Sequence, residues 1–150
     1  MTDTTVATLC FVLIGWFITH LFSEARERRK ELRTNIDKLH DAIYKIEKDG
    51  VSFHCATEFS EDLNDDVILQ MAIIERKLSR IIKSSDLAGN IIRLRRSITL
   101  ENFDKTGFTR QPRRSNIVYS ISSACQDIED ELEAAYRRKY PDRFPYFTWF

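Results

Sequence analysis

The chain has 150 residues, with 23 basic and 23 acidic side chains and no net charge, the size of one ordinary domain. That balance excludes a histone-like polycation, and four Gly and three Pro against 31% charged and 43% hydrophobic residues exclude collagen-like, linker-like and disordered chains. The charges are unevenly placed: residues 4–23 carry none, whereas 45 of the 46 fall from residue 24 onward, the pattern of an anchor joined to a soluble body.

Residues 4–22, TTVATLCFVLIGWFITHLF, contain 13 apolar side chains, one Gly, four Thr and one His. As a helix they reach about 28 Å, close to the hydrocarbon thickness of a bilayer. The threonines are compatible with lipid because a helical Thr hydroxyl bonds back to a carbonyl one turn earlier. A buried core helix is disfavoured because the rest of the chain is too charged to surround it. A cleaved secretory signal would use Ser23 and Ala25 as the small residues of a cleavage site, but it lacks a basic leading segment and the apolar stretch is too long.

No basic residue precedes the stretch, and Arg26, Arg28, Arg29, Lys30 and Arg33 follow it. Positive flanks stay in the cytosol. The expected topology is single-pass, with residues 1–3 outside, 4–22 in the membrane and 23–140 in the cytoplasm. Cys55 and Cys125 are too sparse for a disulfide framework and fit a reducing compartment; under the secretory reading they would be a plausible bridge.

The expected fold class is all-α, the membrane helix leading into a bundle of about four helices. Leu32, Ile36, Leu39, Ile43 and Ile46 fall at steps of four and three, a helical seam over residues 24–49 that Gly50 is expected to stop. No Pro or Gly interrupts residues 16 to 49, so the pattern is compatible with one continuous rod, while the sequence leaves open whether the membrane and soluble helices are fused. The seam serves equally well as a parallel coiled coil, an interaction seam between chains, or as one helix of an intramolecular bundle, and Gly15 with Thr19 offers a small-residue contact in the membrane.

Residues 51–59 read as a connector or short extended piece. Ser60 then caps a helix to about Lys83, its stripe formed by Leu63, Val67, Met71, Ile74, Leu78 and Ile81 and widened by Ile68 and Ile82. Asp86 opens a third helix through Leu87, Ile91, Leu94 and Ile98, continuing toward Phe103, unless it is fused to the second. Residues 105–114 are the clearest loop. Ser115 or Asn116 caps a last helix, buried through Ile117, Ile121, Ala124, Cys125, Ile128, Leu132 and Ala135 and limited by Pro141.

No Gly-rich phosphate loop, HExxH or CxxC motif is present, so neither cofactor nor metal site is expected, and the chain reads as a non-enzyme. His54 with Cys55 reads as a solvated turn, and Asp37 with His40 as a surface pair. Arg33 and His40, with six residues between them on one helix, are similar in spacing to the Arg-to-His pattern of HEPN ribonucleases. The resemblance covers these two residues alone, and Thr34 stands where that family has a polar Asn, Asp or His; it implies a membrane-bound all-α nuclease as an alternative.

The stretch holding Arg93, Arg95, Arg96, Lys105, Arg110, Arg113 and Arg114 against Glu101 and Asp104, with Phe103 and Phe108 interleaved, provides candidate contacts to anionic lipid or nucleic acid. Its competing reading is a solvated run balanced by Asp127, Glu129, Asp130, Glu131 and Glu133. In the tail, residues 141–150, Phe144, Tyr146, Phe147, Trp149 and Phe150 form a candidate docking segment for a membrane interface or a partner, or else cover one end of the bundle. The expected function is a membrane-tethered helical interaction or scaffold protein, binding a protein partner or itself; a membrane-perturbing oligomeric effector is a further alternative.

Overall fold

The computed structural model describes residues 3–81 and 85–141, with side chains from residue 8 onward and from 87 after the gap. These residues are all-helical: α1 (Asp3–Cys55), α2 (Glu61–Ile81), α3 (Ser85–Thr99) and α4 (Asn116–Lys139), with no strand among them. Ile82 and the aromatic tail residues Phe144, Tyr146, Phe147, Trp149 and Phe150 lie outside the described residues. The chain divides into two compact units, residues 1–35 and 36–150, the boundary falling inside α1.

In the first unit α1 is apolar and uncovered. Phe11 is 77% exposed and Phe22 74%, and the large side chains between them are all exposed. The helix is long and apolar enough to cross a membrane. Thr19 Oγ1 donates to Gly15 O at 2.8 Å, satisfying the hydroxyl within the helix as the sequence requires. Past the apolar stretch the surface turns ionic, with Glu24 between His20 (3.4 Å) and Arg28 (3.3 Å) one turn away on either side, and Lys30 on Glu27 at 3.1 Å.

In the second unit successive helices run antiparallel. The Gln70 amide on α2 donates to Asp49 at 2.8 Å, Arg95 on α3 reaches Glu75 at 2.8 Å, and Arg93 reaches Ser123 on α4 at 3.0 Å. The backbones of α3 and α4 approach most closely, helped by the small side chains of Ser120, Ser123 and Ala124 on α4. Ser60 Oγ accepts from Leu63 N at 3.3 Å and opens α2, as the sequence predicts; Ser115 Oγ accepts from Val118 N at 3.4 Å and opens α4, the first of the two caps the sequence offered there.

One contiguous core collects the inner faces of all four helices: Leu39, Ile43 and Ile46 from α1, Val67, Met71, Ile74 and Leu78 from α2, Leu87, Leu94 and Ile98 from α3, and Ile121, Ala124, Cys125, Ile128 and Leu132 from α4. Burial of each large side chain contributes about 1.5–3 kcal/mol. Four of the five seam residues, Ile36, Leu39, Ile43 and Ile46, are at most 1% exposed, and Leu32 is half-buried. From Ile36 to Ile46 the seam is therefore covered by packing within the chain, the intramolecular one of the two uses its spacing allowed.

Three expectations are corrected. Gly50 does not stop the first helix, because α1 continues to Cys55 and the connector shrinks to residues 56–60. Gly50 is helical and buried against Ile98, and the β-formers after it are held helical by the burial of Phe53. The third helix ends at Thr99 rather than near Phe103, because Asn102 adopts a left-handed conformation (φ 56°) that no helix continues through. Ile68 is 49% exposed and widens nothing.

A Cβ at Gly50 would meet the Ile98 side chain at 3.7 Å, an ordinary contact. Gly50→Ala is expected to raise unfolding stability by about 0.5–1 kcal/mol, since it removes backbone freedom from the unfolded chain without strain, as read from the denaturation midpoint. Ile43→Ala, at a fully buried position, is expected to lower stability by about 2–5 kcal/mol in the same assay.

Candidate functional site

The end of the second unit at Cys55 holds most of the chain's unusual chemistry. Phe53, fully buried in the last turn of α1, is ringed by Phe103 (5.1 Å between centroids), Phe108 (5.4 Å) and Phe59 (5.6 Å). The Phe59 and Phe108 contacts are edge-on, the arrangement that ring quadrupoles favour. Phe103 and Phe108, interleaved with the arginines in the sequence, pack on Phe53 and are half-buried.

His54 is fully buried beside this cluster, which overturns its reading as a solvated turn. Its protonation state follows from the neighbours. Thr109 N–H donates at 2.7 Å to Asn102 Oδ1, which places the Asn102 amide nitrogen toward His54 Nδ1 at 3.3 Å. An amide nitrogen only donates, so Nδ1 accepts, and Nε2 carries the hydrogen that Ile98 O receives at 3.0 Å. The neutral ring satisfies both contacts, whereas a second proton on Nδ1 would set two donors against each other. Burial, only partly offset by the Ile98 bond, holds the imidazole below its usual 6.5.

The main chain at His54 does further work. Gln111 N donates to His54 O at 2.8 Å and Ala56 N to Phe53 O at 3.2 Å, so two carbonyls in the last turn of α1 are capped. The loop 100–115 is tied down along its length: Asp104 accepts from Thr106, Gly107 N bonds Asp104 O at 3.2 Å, Ser115 N bonds Pro112 O at 2.9 Å, and Lys105 reaches Glu61 at 2.6 Å. That ion pair raises the Lys105 ammonium and lowers the Glu61 carboxyl from their ordinary values, but both are on the surface.

The arginines predicted as anion contacts fall into two groups. Arg93 is paired with Asp127 and also donates to Ser123, and Arg95 is paired with Glu75. Arg96, Arg110, Arg113 and Arg114 are exposed and have no ionic partner among the described residues. Arg110 and Arg113 share one cleft with Cys55, Gln111 and Pro112; Arg96 lies in another with Arg93, Ser97, Glu101, Asn116 and Ser120. Arg113 and Arg114 run directly into Ser115 and the start of α4, so the clefts adjoin along the chain.

Cys55 and Cys125 are free thiols, so the bridge that the secretory reading made plausible is not formed between these described residues. Cys125 is buried on α4, and desolvation, with the nearby Glu47 and Glu129, pushes its thiol up to about 12. Glu129, also raised mainly by desolvation, feels His40, which is half-buried with no hydrogen-bond partner at Nε2 rather than fully at the surface. Asp37 is exposed and Arg33 half-buried. Among the described residues, no three His, Cys, Asp or Glu side chains group as metal ligands. No family model, curated protein or solved structure matches this chain.

The His54 geometry gives a pH dependence with a definite sign. Because the folded-state pKa is lowered, the contribution of the neutral ring is fully present above pH 6.5 and is lost as pH falls through the folded value. Urea midpoints are expected to drop on going from above pH 6.5 to well below it, more steeply than in His54→Gln. Asn102→Ala, which orphans both the ring nitrogen and Thr109 N–H, is expected to cost about 1–3 kcal/mol at neutral pH.

Proposed function

We propose that this protein is a single-pass, membrane-tethered interaction module: residues 4–22 cross the bilayer with the N-terminus outside, and the helical bundle works in the cytoplasm through its arginine-bearing Cys55 end, performing no chemistry. The observation that carries the proposal is the contrast along α1. The apolar side chains of residues 9–22 have nothing covering them, while Ile36, Leu39, Ile43, Ile46 and Phe53 are buried in the bundle. An apolar helical surface of that length left in water would drive aggregation, and lipid is the solvent in which it is stable. The arginines at 26, 28, 29 and 33 support the orientation by the positive-inside rule.

The interaction surface is assigned to the Cys55 end rather than to the Leu32–Ile46 seam, because the seam is spent in the core. The end face has unpaired Arg96, Arg110, Arg113 and Arg114, with Leu100 73% and Tyr119 74% exposed close by in sequence. Exposed apolar and arginine groups together are the composition of protein-contact surfaces.

Ile14→Arg places a charge in the middle of the apolar stretch at a cost of about 2.5–3.5 kcal/mol for insertion, and is expected to move the protein from the alkali-resistant membrane fraction to the soluble or aggregated fraction. A C-terminal reporter active only in the cytoplasm is expected to be active; activity of a reporter that requires export would overturn the orientation. Photoreactive groups at Leu100 and Tyr119 are expected to capture a partner protein, whereas a group at Leu39 yields crosslinks within the chain.

A further inference from the structure

The cleft at the Cys55 end differs in charge from its neighbours. It measures about 440 Å³, within the range of small-molecule sites, and is lined by Cys55, Arg110, Gln111, Pro112 and Arg113. Arg110 and Arg113, neither with an ionic partner among the described residues, both line this one cavity, and no carboxylate lines it among the described residues. Three other clefts among the described residues each contain an acid: Glu101 with Arg96 and the already paired Arg93, Asp104 with Leu100 and Asn102, and Asp130 and Glu133 with Arg137.

The walls are also fixed in place. Thr109 N–H donates to Asn102 Oδ1, Gln111 is bonded through its main chain to His54 O, and Pro112 O accepts from Ser115 N, so both arginines lie on backbone that is anchored before and between them. The negative end of α1, which would repel an anion, is weakened because the carbonyls of Phe53 and His54 are already bonded to Ala56 and Gln111. The two cations lining the cleft are Arg rather than Lys, and a planar guanidinium offers two parallel N–H donors to one phosphate.

We propose that the cleft between Cys55, Arg110 and Arg113 is a binding site for a phosphate group, with the two guanidinium groups as its ligands. This deepens the assignment of the Cys55 end as the working surface. The group arrives either on a soluble phosphorylated molecule or on the headgroup of a phosphorylated lipid; the donors required are the same.

Cys55 supplies a local reporter. It is half-buried in the cleft wall, Cys125 is buried with its thiol pushed up, and Cys10→Ser removes the remaining thiol, so alkylation of the full-length Cys10→Ser protein in phosphatidylcholine nanodiscs reads this cleft. Inorganic phosphate and inositol trisphosphate are expected to slow alkylation of Cys55 saturably, at constant ionic strength set with chloride. Arg110→Gln and Arg113→Gln are each expected to raise the half-protecting concentration about tenfold. Arg80→Gln, an exposed change on α2, is expected to leave it unchanged.

Thermal unfolding of each variant checks that its fold is retained. Protection only in nanodiscs containing phosphoinositide assigns a lipid source, and protection by the soluble compounds a soluble one; both support phosphate recognition. Absence of protection in every arm, equal protection by chloride, or protection that survives in the folded double variant overturns it. Partner capture at Leu100 and Tyr119 in that event would leave the interaction surface standing and remove only the phosphate.

Discussion

The inner face of α1 is the constraint on which the second unit depends. Ile36, Leu39, Ile43, Ile46 and Phe53 are buried along five turns, and α2, α3 and α4 each have a stripe too narrow to be covered alone. Packing them together removes all four stripes from water at once, and the antiparallel succession of α1, α2 and α3 follows because the two connectors between them are short. The same burial carries α1 past Gly50, where local preference favours a stop: Phe53 gains more from the core than the β-forming residues of 51–54 lose by being helical.

That extension places His54 where it organises the end of the bundle. Had the helix stopped at Gly50, neither the imidazole nor the His54 carbonyl would face Ile98, Asn102 and Gln111. The long connection between α3 and α4 is held by these bonds and by the phenylalanine ring cluster, and with it the position of Arg110 and Arg113. A loop rich in arginine becomes a shaped surface because one buried, neutral side chain holds its far side. Polar networks of this kind are stable only when each member is satisfied, and the donor and acceptor directions here agree at every bond.

The electrostatics follow the same division between local and tertiary causes. Overall neutrality does not make the surface neutral, because acids on α2 and α4 face only part of α3. Arg93 and Arg95 meet Asp127 and Glu75, whereas the loop arginines Arg110, Arg113 and Arg114 have no ionic partner among the described residues. In the first unit the situation is simpler: an uncovered apolar helix with an ionic surface after it, each property set by residues within one turn of each other.

The all-helical class, the caps at Ser60 and Ser115, the core stripes of α2, α3 and α4, the loop before α4 and the uncovered apolar stretch were legible in the sequence because each rests on local chemistry: a period of 3.6, a hydroxyl three residues before an amide, the absence of charge. The end of α1, the burial of His54 and the separation of paired from unpaired arginines were not, because each depends on groups some twenty to sixty residues away. His54 next to Cys55 looks like a polar turn until Ile98, Asn102 and Gln111 stand around it, and Arg95 looks as free as Arg110 until Glu75 is beside it. By itself the sequence determined which faces are apolar and where helices begin; only the tertiary structure decided what those faces bury and which charges are left over, since pairing and desolvation are properties of distance in space and not along the chain.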